Sequence, residues 1–326
     1  MMRAAEFFAG MGLMRAGLES VGIQTVFAND ISETKAALYQ DNWGGDALHV
    51  GDIRGLHGDD IPDIELATAS FPCVDLSLAG HRKGLRGEQS GLVMDFLRIL
   101  GEMGTRAPHT IMIENVPGFL SANGGKDWQT VVSGLHGLGY VTDHAIVNAD
   151  SFVAQSRARV FLLGSRSRVA LPHPPVRRND LRLADIVDED GEWWPSLRLD
   201  AFLSSLSPLQ ESRVTAYQTR QNTGFFGAFR RTRNGSPVWE VRADEKSGTL
   251  RTTRGGSARQ ALLRAGHGFL AVRWMSLMEY ARLQGAENLR YGAVTPVQAM
   301  FALGDAVCVP VVRWLAQHCL VPTMQR

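Results

Sequence analysis

The segment IELATASFPC, residues 64–73, has the pattern of a short apolar strand that ends at a proline and presents Cys73 on the loop beyond it. In a parallel α/β sheet, ligands bind outside the carboxyl ends of the strands, so this segment predicts such a sheet with Cys73 at its functional edge. A thiol in that position can act as a nucleophile once its surroundings favour the thiolate. The alternative interpretation is that Cys73 is a small buried hydrophobic residue, the commoner fate of an isolated intracellular cysteine.

Composition limits the class of protein. A chain of 326 residues can bury one large core and a smaller one, and its 44% hydrophobic and 21% charged residues are ordinary for a soluble globular protein. Cys73, Cys308 and Cys319 have no paired spacing, which argues against a disulfide framework and a zinc site and fits a reducing compartment. No run approaches the length of a membrane span and no signal peptide is evident, so we expect a cytoplasmic protein without a membrane partner.

Basic residues are concentrated in one part of the chain. The net charge is only +1, but residues 213–264 contain 11 Lys and Arg against three acidic residues, a local balance of +8. A nearly neutral protein with one strongly basic segment has the charge distribution of a protein that binds a phosphate backbone. Because Arg outnumbers Lys by 30 to 4 over the whole chain, genome composition is the alternative explanation.

Strands and helices are predicted to alternate through the first half of the chain. Strand patterns lie near residues 24–29, 64–71, 110–113, 140–147 and 159–163, and helical patterns at 13–21, 32–42, 92–103 and 128–138. After the proline-rich residues 171–175 the alternation is lost, which indicates a domain boundary. The predicted fold class is α/β, a Rossmann-like, mostly parallel sheet with helices on both faces plus a smaller, irregular domain. The expected domains are residues 1–175, completed by 269–326, and residues 176–268.

Glycines and carboxylates follow several of the predicted strands. Gly10 and Gly12 lie in the first strand–helix turn, where they let the backbone pass close to a ligand, although a tight turn without a ligand is nearly as good an explanation. Asp30 ends the second strand, where a carboxylate can accept hydrogen bonds from ribose hydroxyls. Asp52 could meet an adenine or amino group, or be a turn residue. Glu114 ends a further apolar strand and could act as an acid.

Two basic stretches accompany these strand ends. Residues 74–91 combine glycines with His81, Arg82, Lys83 and Arg86, which indicates either a lid that closes over an anionic substrate or a surface loop. Arg157 and Arg159 are two positions apart, so along a strand they would face one way and could grip a phosphate or a base edge.

Together these stretches resemble the cytosine-5 DNA methyltransferases, in that family's own order. The motifs that carry the resemblance are FAGMG (8–12), SFPC (70–73), ENV (114–116), QSRAR (155–159) and GDAV (304–307). The match covers nearly all of positions 6–318, and only residues 176–245 have no family pattern; in the family this stretch is the target-recognition domain. The resemblance implies an S-adenosylmethionine-dependent enzyme that acts as a monomer on double-stranded DNA without a metal, in a prokaryotic cytoplasm or encoded by a phage.

The resemblance also implies residue roles. Cys73 would add to carbon 6 of a flipped-out cytosine, Glu114 would assist at ring nitrogen 3, and Arg159 would hold the exocyclic oxygen. Arg157 would brace the loop or bind a phosphate. The residues implied to bind the cofactor are Phe8, Gly10, Gly12, Asp30, Ile31, Asp52, Ile53, Pro72 and Asp305. The residues implied to contact DNA are Ser77, Arg82, Lys83, Thr249, Arg251 and Arg254.

Three positions depart from the family pattern. Val74 replaces the usual Gln after the cysteine, Asp305 replaces the usual Asn of the last motif, and Asp30 stands where Glu is usual. These changes affect cofactor affinity and loop contacts rather than the covalent chemistry. Two rival hypotheses remain: a transfer-RNA methyltransferase of the same architecture, and a non-catalytic family member that only binds DNA or a partner methyltransferase. The recognised DNA sequence and the biological role cannot be read from the chain.

Overall fold

The computed structural model describes residues 2–72, 91–167, 171–178, 180–189, 191–233, 235–251 and 259–325. Several residues singled out from the sequence lie outside this described part: Cys73, Val74, Ser77, Arg82, Lys83 and Arg254.

A large sheet organises the first half of the chain. Its strands in the described ranges are β1 (Met2–Phe7), β2 (Ile23–Asp30), β3 (Leu48–Val50), β4 (Leu66–Ala69), β5 (Thr110–Asn115), β6 (Val141–Asn148) and β7 (Ala158–Ser165). Their spatial order is β3-β2-β1-β4-β5-β7-β6, and β7 runs antiparallel to both of its neighbours. The predicted mostly parallel sheet is therefore confirmed. The strand order reverses at β1 and β4, and ligands bind at such a switch point.

Helices cover both faces of this sheet. The α-helices are α1 (Leu13–Glu19), α2 (Glu33–Trp43), α3 (Leu92–Met103), α4 (Lys126–Gly137), α5 (Ser196–Ser204), α6 (Pro208–Gln218), α7 (Leu277–Gln284), α8 (Pro296–Asp305) and α9 (Val309–Leu315). Alternate residues of β1 serve two cores: Ala4 packs in the cluster that includes residues of α1, α7, α8 and α9, whereas Ala5 and Phe7 pack in the cluster that includes residues of α3 and α4. The C-terminal helices thus pack on one face of the large sheet.

A second sheet is more regular than the sequence suggested. It contains β8 (Gly224–Arg233), β9 (Ser236–Val241), β10 (Ala261–Gly266) and β11 (Phe269–Trp274), all antiparallel, in the order β11-β10-β8-β9. The boundary predicted after residue 268 falls in the turn between β10 and β11, so this sheet continues to Trp274. Helices α5 and α6 pack on one face of it through Phe202, Val214 and Tyr217. We call this sheet with α5 and α6 the small domain.

The C-terminal helical run is apolar but largely buried. Residues 296–324 are long and apolar enough to satisfy a length and composition criterion for crossing a membrane, which the sequence reading did not anticipate, yet 67% of the most apolar window is buried within the protein. The run is also divided: α9 continues through a π-helical turn, Ala316–Leu320, into Val321–Met324. Packing against the large core therefore accounts for its apolar character.

A buried carboxyl group lies in β1 beneath the first strand–helix turn. Glu6 is 3% exposed, and its Oε2 atom has no hydrogen-bond partner. Burial is the main cause that raises the pKa of Glu6 from its ordinary 4.5 to about 8, against the opposing effect of the nearby Arg15 cation. Between these two pH values, the native protein keeps a proton that the unfolded chain releases.

The sign of this linkage gives a testable prediction. We expect the free energy of unfolding of the wild-type protein to fall by a few kcal/mol as pH rises from about 4.5 to about 8, at most ~1.4 kcal/mol per pH unit. The Glu6→Gln protein should lack this decrease because its amide does not titrate. Denaturant unfolding of both proteins across this pH range measures the difference, and equal slopes for the two would contradict the prediction.

Candidate active site

The turn between β1 and α1 has an unusual backbone. Phe8, Gly10 and Gly12 all have positive φ angles, of 57°, 60° and 84°. For Phe8, which has a side chain, such a conformation costs energy and is found most often at functional sites. A Cβ atom at Gly12 would lie 2.3 Å from Nε1 of Trp43, so this position requires glycine, whereas a Cβ at Gly10 would meet nothing within 4 Å. The turn therefore has open space beside Gly10 that a ligand could occupy.

Asp30 fixes the shape of this turn from the end of β2. Its Oδ2 accepts a hydrogen bond from the backbone N–H of Gly10 at 2.8 Å, and its Oδ1 accepts one from Ser32 at 2.8 Å. A carboxylate has about four acceptor positions, so Asp30 can still accept hydrogen bonds from two hydroxyls of a ligand. The next residue, Ile31, is 66% exposed although it is large and apolar, which is the property expected of a residue that packs on a flat ring.

The two residues predicted to bind the cofactor after β3, Asp52 and Ile53, are largely engaged within the protein. The Asp52 carboxylate accepts hydrogen bonds from the Arg54 side chain, including one of 2.5 Å from Nη2, and these bonds lower the pKa of Asp52. The side chain of Ile53 is 3% exposed and packs in the core, so only its backbone can reach a ligand at this edge. Pro72, which directly follows Phe71, is half-buried.

The departure at position 305 has a structural counterpart. Oδ2 of Asp305 lies 2.9 Å from Nζ of Lys35, which belongs to α2. Burial opposes the charged ammonium, but the Asp305 and Asp30 carboxylates outweigh it and raise the pKa of Lys35. Asp305 therefore brings a paired carboxylate to this edge, next to the helix that follows Asp30 and Ile31.

Glu114 and Arg159 form the second part of the site. Nε of Arg159 lies 3.0 Å from Oε1 of Glu114, and the two side chains are 16% and 8% exposed. The side-chain amide of the next residue, Asn115, donates to the backbone carbonyl of Phe71 at 3.1 Å, which ties the end of β5 to the segment that follows β4. Position 73 comes two residues after Phe71 and lies outside the described residues.

Arg157 and Arg159 line the same small cavity beside Glu114, but their side chains make different contacts. Arg157 is 2% exposed, and its guanidinium donates hydrogen bonds to the carbonyl oxygens of Leu250 (2.8 Å), Gly304 (3.2 Å) and Ala306 (2.7 Å). Burial lowers the pKa of Arg157 to about 9, so it keeps its charge at neutral pH. Hydrogen bonds from a buried guanidinium to backbone carbonyls fit the bracing role expected of Arg157 better than contact with a phosphate.

The Thr249 hydroxyl is also hydrogen-bonded within the protein. It donates to the carbonyl of Ser156 at 2.8 Å, and Gln155 holds the adjacent Leu250 N–H at 3.0 Å through Oε1. Nε2 of Gln155 donates to the carbonyl of Leu283 at 2.7 Å. The sequence showed Gln155 only as part of a motif, but its side chain connects the segment between β6 and β7 to the segment between β9 and β10. Arg251 is exposed beyond this junction.

The two described cysteines are unsuited to nucleophilic chemistry. Cys308 and Cys319 are free and buried, and burial raises the pKa of the Cys308 thiol to about 12 and also raises that of Cys319. Both are therefore neutral thiols at physiological pH. Cys308 lines a small cavity with Glu114, Arg157 and Arg159, so its position is close to the acid–arginine pair. Among the described residues, no group of three or more His, Cys, Asp or Glu side chains could hold a metal ion.

The structure is thus a doubly wound α/β fold with an open strand–helix turn at its switch point and a carboxylate–guanidinium pair at the same edge of the sheet. The sequence model of the C-5 cytosine-specific DNA methylases matches residues 2–320, and the chain belongs to that family. The resemblance stated from its motifs is confirmed. The protein is thus an S-adenosylmethionine-dependent DNA (cytosine-5-)-methyltransferase.

Individual relatives agree with this assignment. The chain is 28% identical over 338 aligned residues to the Type II methyltransferase M.Bsp6I of Bacillus sp. (strain RFL6), with 98% of each chain covered. It is 26% identical to the Type II methyltransferase M.NgoBI of Neisseria gonorrhoeae, with 98% of this chain and 93% of the relative covered. In fold it is similar to the S. pombe Dnmt2 methyltransferase (TM-score 0.67, 21% identity, 99% of each chain) and to the Entamoeba histolytica methyltransferase EhMeth (TM-score 0.68, 15% identity, 98% and 97%).

The Asp30 carboxylate is open to a direct test. We expect Asp30→Ala to raise the dissociation constant for S-adenosylmethionine about 10- to 100-fold, because hydrogen bonds to a charged group contribute roughly 1.5–3 kcal/mol each and the Gly10 turn loses its anchor. Isothermal titration of the whole protein measures this change. Asp63→Ala is the matched control, since Asp63 is 77% exposed and lies 3.6 Å from Arg106 on the surface. A dissociation constant for Asp30→Ala within twofold of the wild type would contradict the expectation.

Proposed function

We propose that the protein methylates carbon 5 of one cytosine within a specific double-stranded DNA sequence, through a transient covalent bond between Cys73 and carbon 6 of the ring. The observation that supports this most directly is the Glu114–Arg159 contact of 3.0 Å, next to the strand end that leads into Cys73. An acid and a planar cation side by side match two adjacent groups of a cytosine edge, the ring nitrogen at position 3 and the exocyclic oxygen.

The proposed chemistry assigns one task to each residue. The Cys73 thiolate attacks carbon 6, and Glu114 stabilises the ring at nitrogen 3 by a proton or a short hydrogen bond, which makes carbon 5 enamine-like and nucleophilic. Arg159 holds the exocyclic oxygen. After methyl transfer, a base, which we take to be water, removes the hydrogen from carbon 5 as Cys73 departs. Because a stacked cytosine is out of reach within a duplex, the nucleotide must leave the stack and enter this site.

The residues at the switch point fit S-adenosylmethionine, which when bound supplies an electrophilic methyl group. Asp30 would accept from the ribose hydroxyls, Ile31 would pack on the adenine, and the open turn at Gly10 would leave room for the rest. The hydroxyl oxygen of Ser70, at the end of β4, is buried without a hydrogen-bond partner, which fits a bound group at this edge. Of the family's implied cofactor contacts, Asp52 and Ile53 have the least support, since the first is bound to Arg54 and the second is buried.

The wider context is proposed by analogy with the relatives. The names of M.Bsp6I and M.NgoBI identify them as Type II methyltransferases, so we propose a role in restriction–modification or phage defence, as a monomer in a bacterial cytoplasm. The rival transfer-RNA substrate is not favoured, because the basic segment 213–264 suits the reading of a duplex. A purely binding role is not favoured either, because Cys73, Glu114 and Asp30 are all present.

Bisulfite sequencing of DNA from cells that express this chain tests the proposal. We expect one short sequence context in which a single cytosine is protected from conversion, and no protection in cells with an empty vector. Purified protein is tested in parallel for methyl transfer from labelled cofactor to duplex DNA and to transfer RNA. Transfer to RNA alone would establish the rival substrate, and transfer to neither would support a purely binding role.

A further inference from the structure

Three tryptophans come together on the face of the small domain that α5 covers. Trp274 of β11 is in register with Ala261 of β10, which is in register with Ala228 of β8, so at this level the two central strands have only small side chains. Indole rings from both edges fill the space above them: the ring of Trp274 lies 5.6 Å from that of Trp239 and 5.2 Å from that of Trp194.

Three arginines surround this aromatic group. The guanidinium carbons of Arg198, Arg230 and Arg259 lie 5.6, 6.0 and 5.2 Å from the ring centroid of Trp274. Arg198 also lies 4.4 Å from the centroid of Trp194. Cation–π contacts at these distances hold the guanidinium groups in place. We call Arg198, Arg230 and Arg259 the arginine cluster.

The arginine cluster has no carboxylate partner among the described residues. In the part of the chain that the structure describes, none of its three guanidiniums forms an ion pair with a carboxylate. Other arginines in and around the small domain do form such pairs, namely Arg177, Arg182, Arg220, Arg231 and Arg242. Burial and the positive charge of Arg198 lower the pKa of Arg259, and Nε of Arg230 is buried without a partner. Three like charges around one ring repel each other, so an anion bound there would stabilise the group.

The arginine cluster lies at the end of the second sheet that adjoins the catalytic residues. Gln260 follows Arg259 directly, and its Nε2 is 3.5 Å from the carbonyl oxygen of Thr249. Thr249 in turn donates to Ser156, next to Arg157. Arg220 lies at the other end of the sheet, where it stacks on Tyr217 and Phe226 but is paired with Glu245 at 3.2 Å.

We propose that Arg198, Arg230 and Arg259 bind phosphates of one DNA strand and hold the duplex against the small domain during methylation. Arg198 and Arg259 are exposed at the surface, and Arg230 is half-buried beside them. The three guanidinium groups surround a single ring and so concentrate positive charge at one place. Such an arrangement suits phosphate oxygens better than base edges, which would need a row of donors. This inference rests on the proposed function, since it assumes a DNA substrate, and it names the residues that position that substrate.

The salt dependence of duplex binding tests this inference. Each phosphate contact contributes about 0.9 to the slope of log K against log [salt], so Gln at all three positions should lower that slope by about 0.9 per arginine that binds. At 0.1 M salt this corresponds to roughly an eightfold loss of affinity per contact. Fluorescence anisotropy with a labelled duplex measures both quantities for the whole protein. Arg220→Gln is the matched control, because it removes an arginine that stacks on aromatic rings in the same way but is neutralised by Glu245.

A second set of variants separates charge from packing. Lys at the same three positions keeps the charge and should keep most of the salt slope, whereas a structural role alone would weaken the Lys and Gln proteins equally. If the triple Gln protein has an unchanged slope of log K against log [salt], the inference is overturned. An altered target sequence with an unchanged slope would overturn it too, because it would show that the arginines contact base edges. A slope that falls with transfer RNA but not with DNA assigns the cluster to RNA and also overturns it. If the wild type binds the duplex and methylates it while these variants behave like Arg220→Gln, the inference fails and the proposed function stands.

Discussion

Replacement of Cys73 by serine is expected to reduce methyl transfer to duplex DNA at least about a thousandfold while leaving cofactor and DNA binding within a few fold of the wild type. The proposed reaction requires a nucleophile that adds to carbon 6, and a serine hydroxyl without a dedicated base is a far weaker one than a thiolate. Single-turnover methyl transfer with labelled S-adenosylmethionine measures the loss. Covalent trapping on DNA that contains 5-fluorocytosine provides an independent readout, because the fluorine cannot be removed as a proton and the adduct persists.

Cys308→Ala is the matched control for this experiment. Cys308 lines a cavity with the acid–arginine pair, but it is buried and its pKa is raised to about 12, so it is a neutral thiol. Its removal should lower stability modestly and leave covalent trapping intact. The expectation fails if Cys73→Ser still forms the 5-fluorocytosine adduct, or if Cys308→Ala abolishes it.

The second large effect is expected for Glu114→Gln, with a loss of about 10²- to 10⁴-fold in the rate of methyl transfer. The substitution keeps the shape of the side chain but removes the acid and the charge that faces Arg159 at 3.0 Å. Because Glu114 would act on the ring only as carbon 6 is attacked, we expect the loss in kcat rather than in the affinity for DNA or cofactor. Steady-state kinetics with an equilibrium binding measurement separates the two.

Glu102→Gln is the corresponding control, because Glu102 also pairs with an arginine, Arg98, at 2.7 Å but lies on the surface of α3 with 33% of its side chain exposed. It should change methyl transfer by less than twofold. A thermal unfolding scan shows whether Glu114→Gln still folds. A folded Glu114→Gln protein with at least a tenth of the wild-type kcat would show that this carboxyl group does not assist the reaction.

The large sheet and the carboxylates at the ends of its strands could be predicted because their signals are local. Short apolar strands end in Asp30 and Glu114, and in a parallel sheet such strand ends must meet at one edge. The start of α2 is also determined locally, since Ser32 caps the helix by accepting a hydrogen bond from the Lys35 N–H. The pairing of Glu114 with Arg159 follows from strand order, because β7 lies next to β5.

Other features depend on register between distant segments, which no local pattern contains. Arg157 and Arg159 line one cavity, but no local pattern showed that the Arg157 guanidinium would bind backbone carbonyls about 90 to 150 positions further along the chain. The arginine cluster depends on Ala228 and Ala261 being opposite each other across two strands, 33 positions apart in the chain. Likewise, the sequence showed Asp305 as a departure from a motif but could not show that Lys35 pairs with it.

The hydrogen bonds of Arg157 determine when, during translation, the site around it can form. One of its carbonyl partners, Ala306, is translated 149 residues after it. At roughly 5–20 residues per second, the ribosome needs on the order of ten seconds to cover that distance. Until then the buried guanidinium lacks two of its three carbonyl acceptors, and a nascent chain cannot yet assemble its catalytic centre. A premature stop codon before position 304 should therefore yield a product without methyltransferase activity, rather than one with reduced activity.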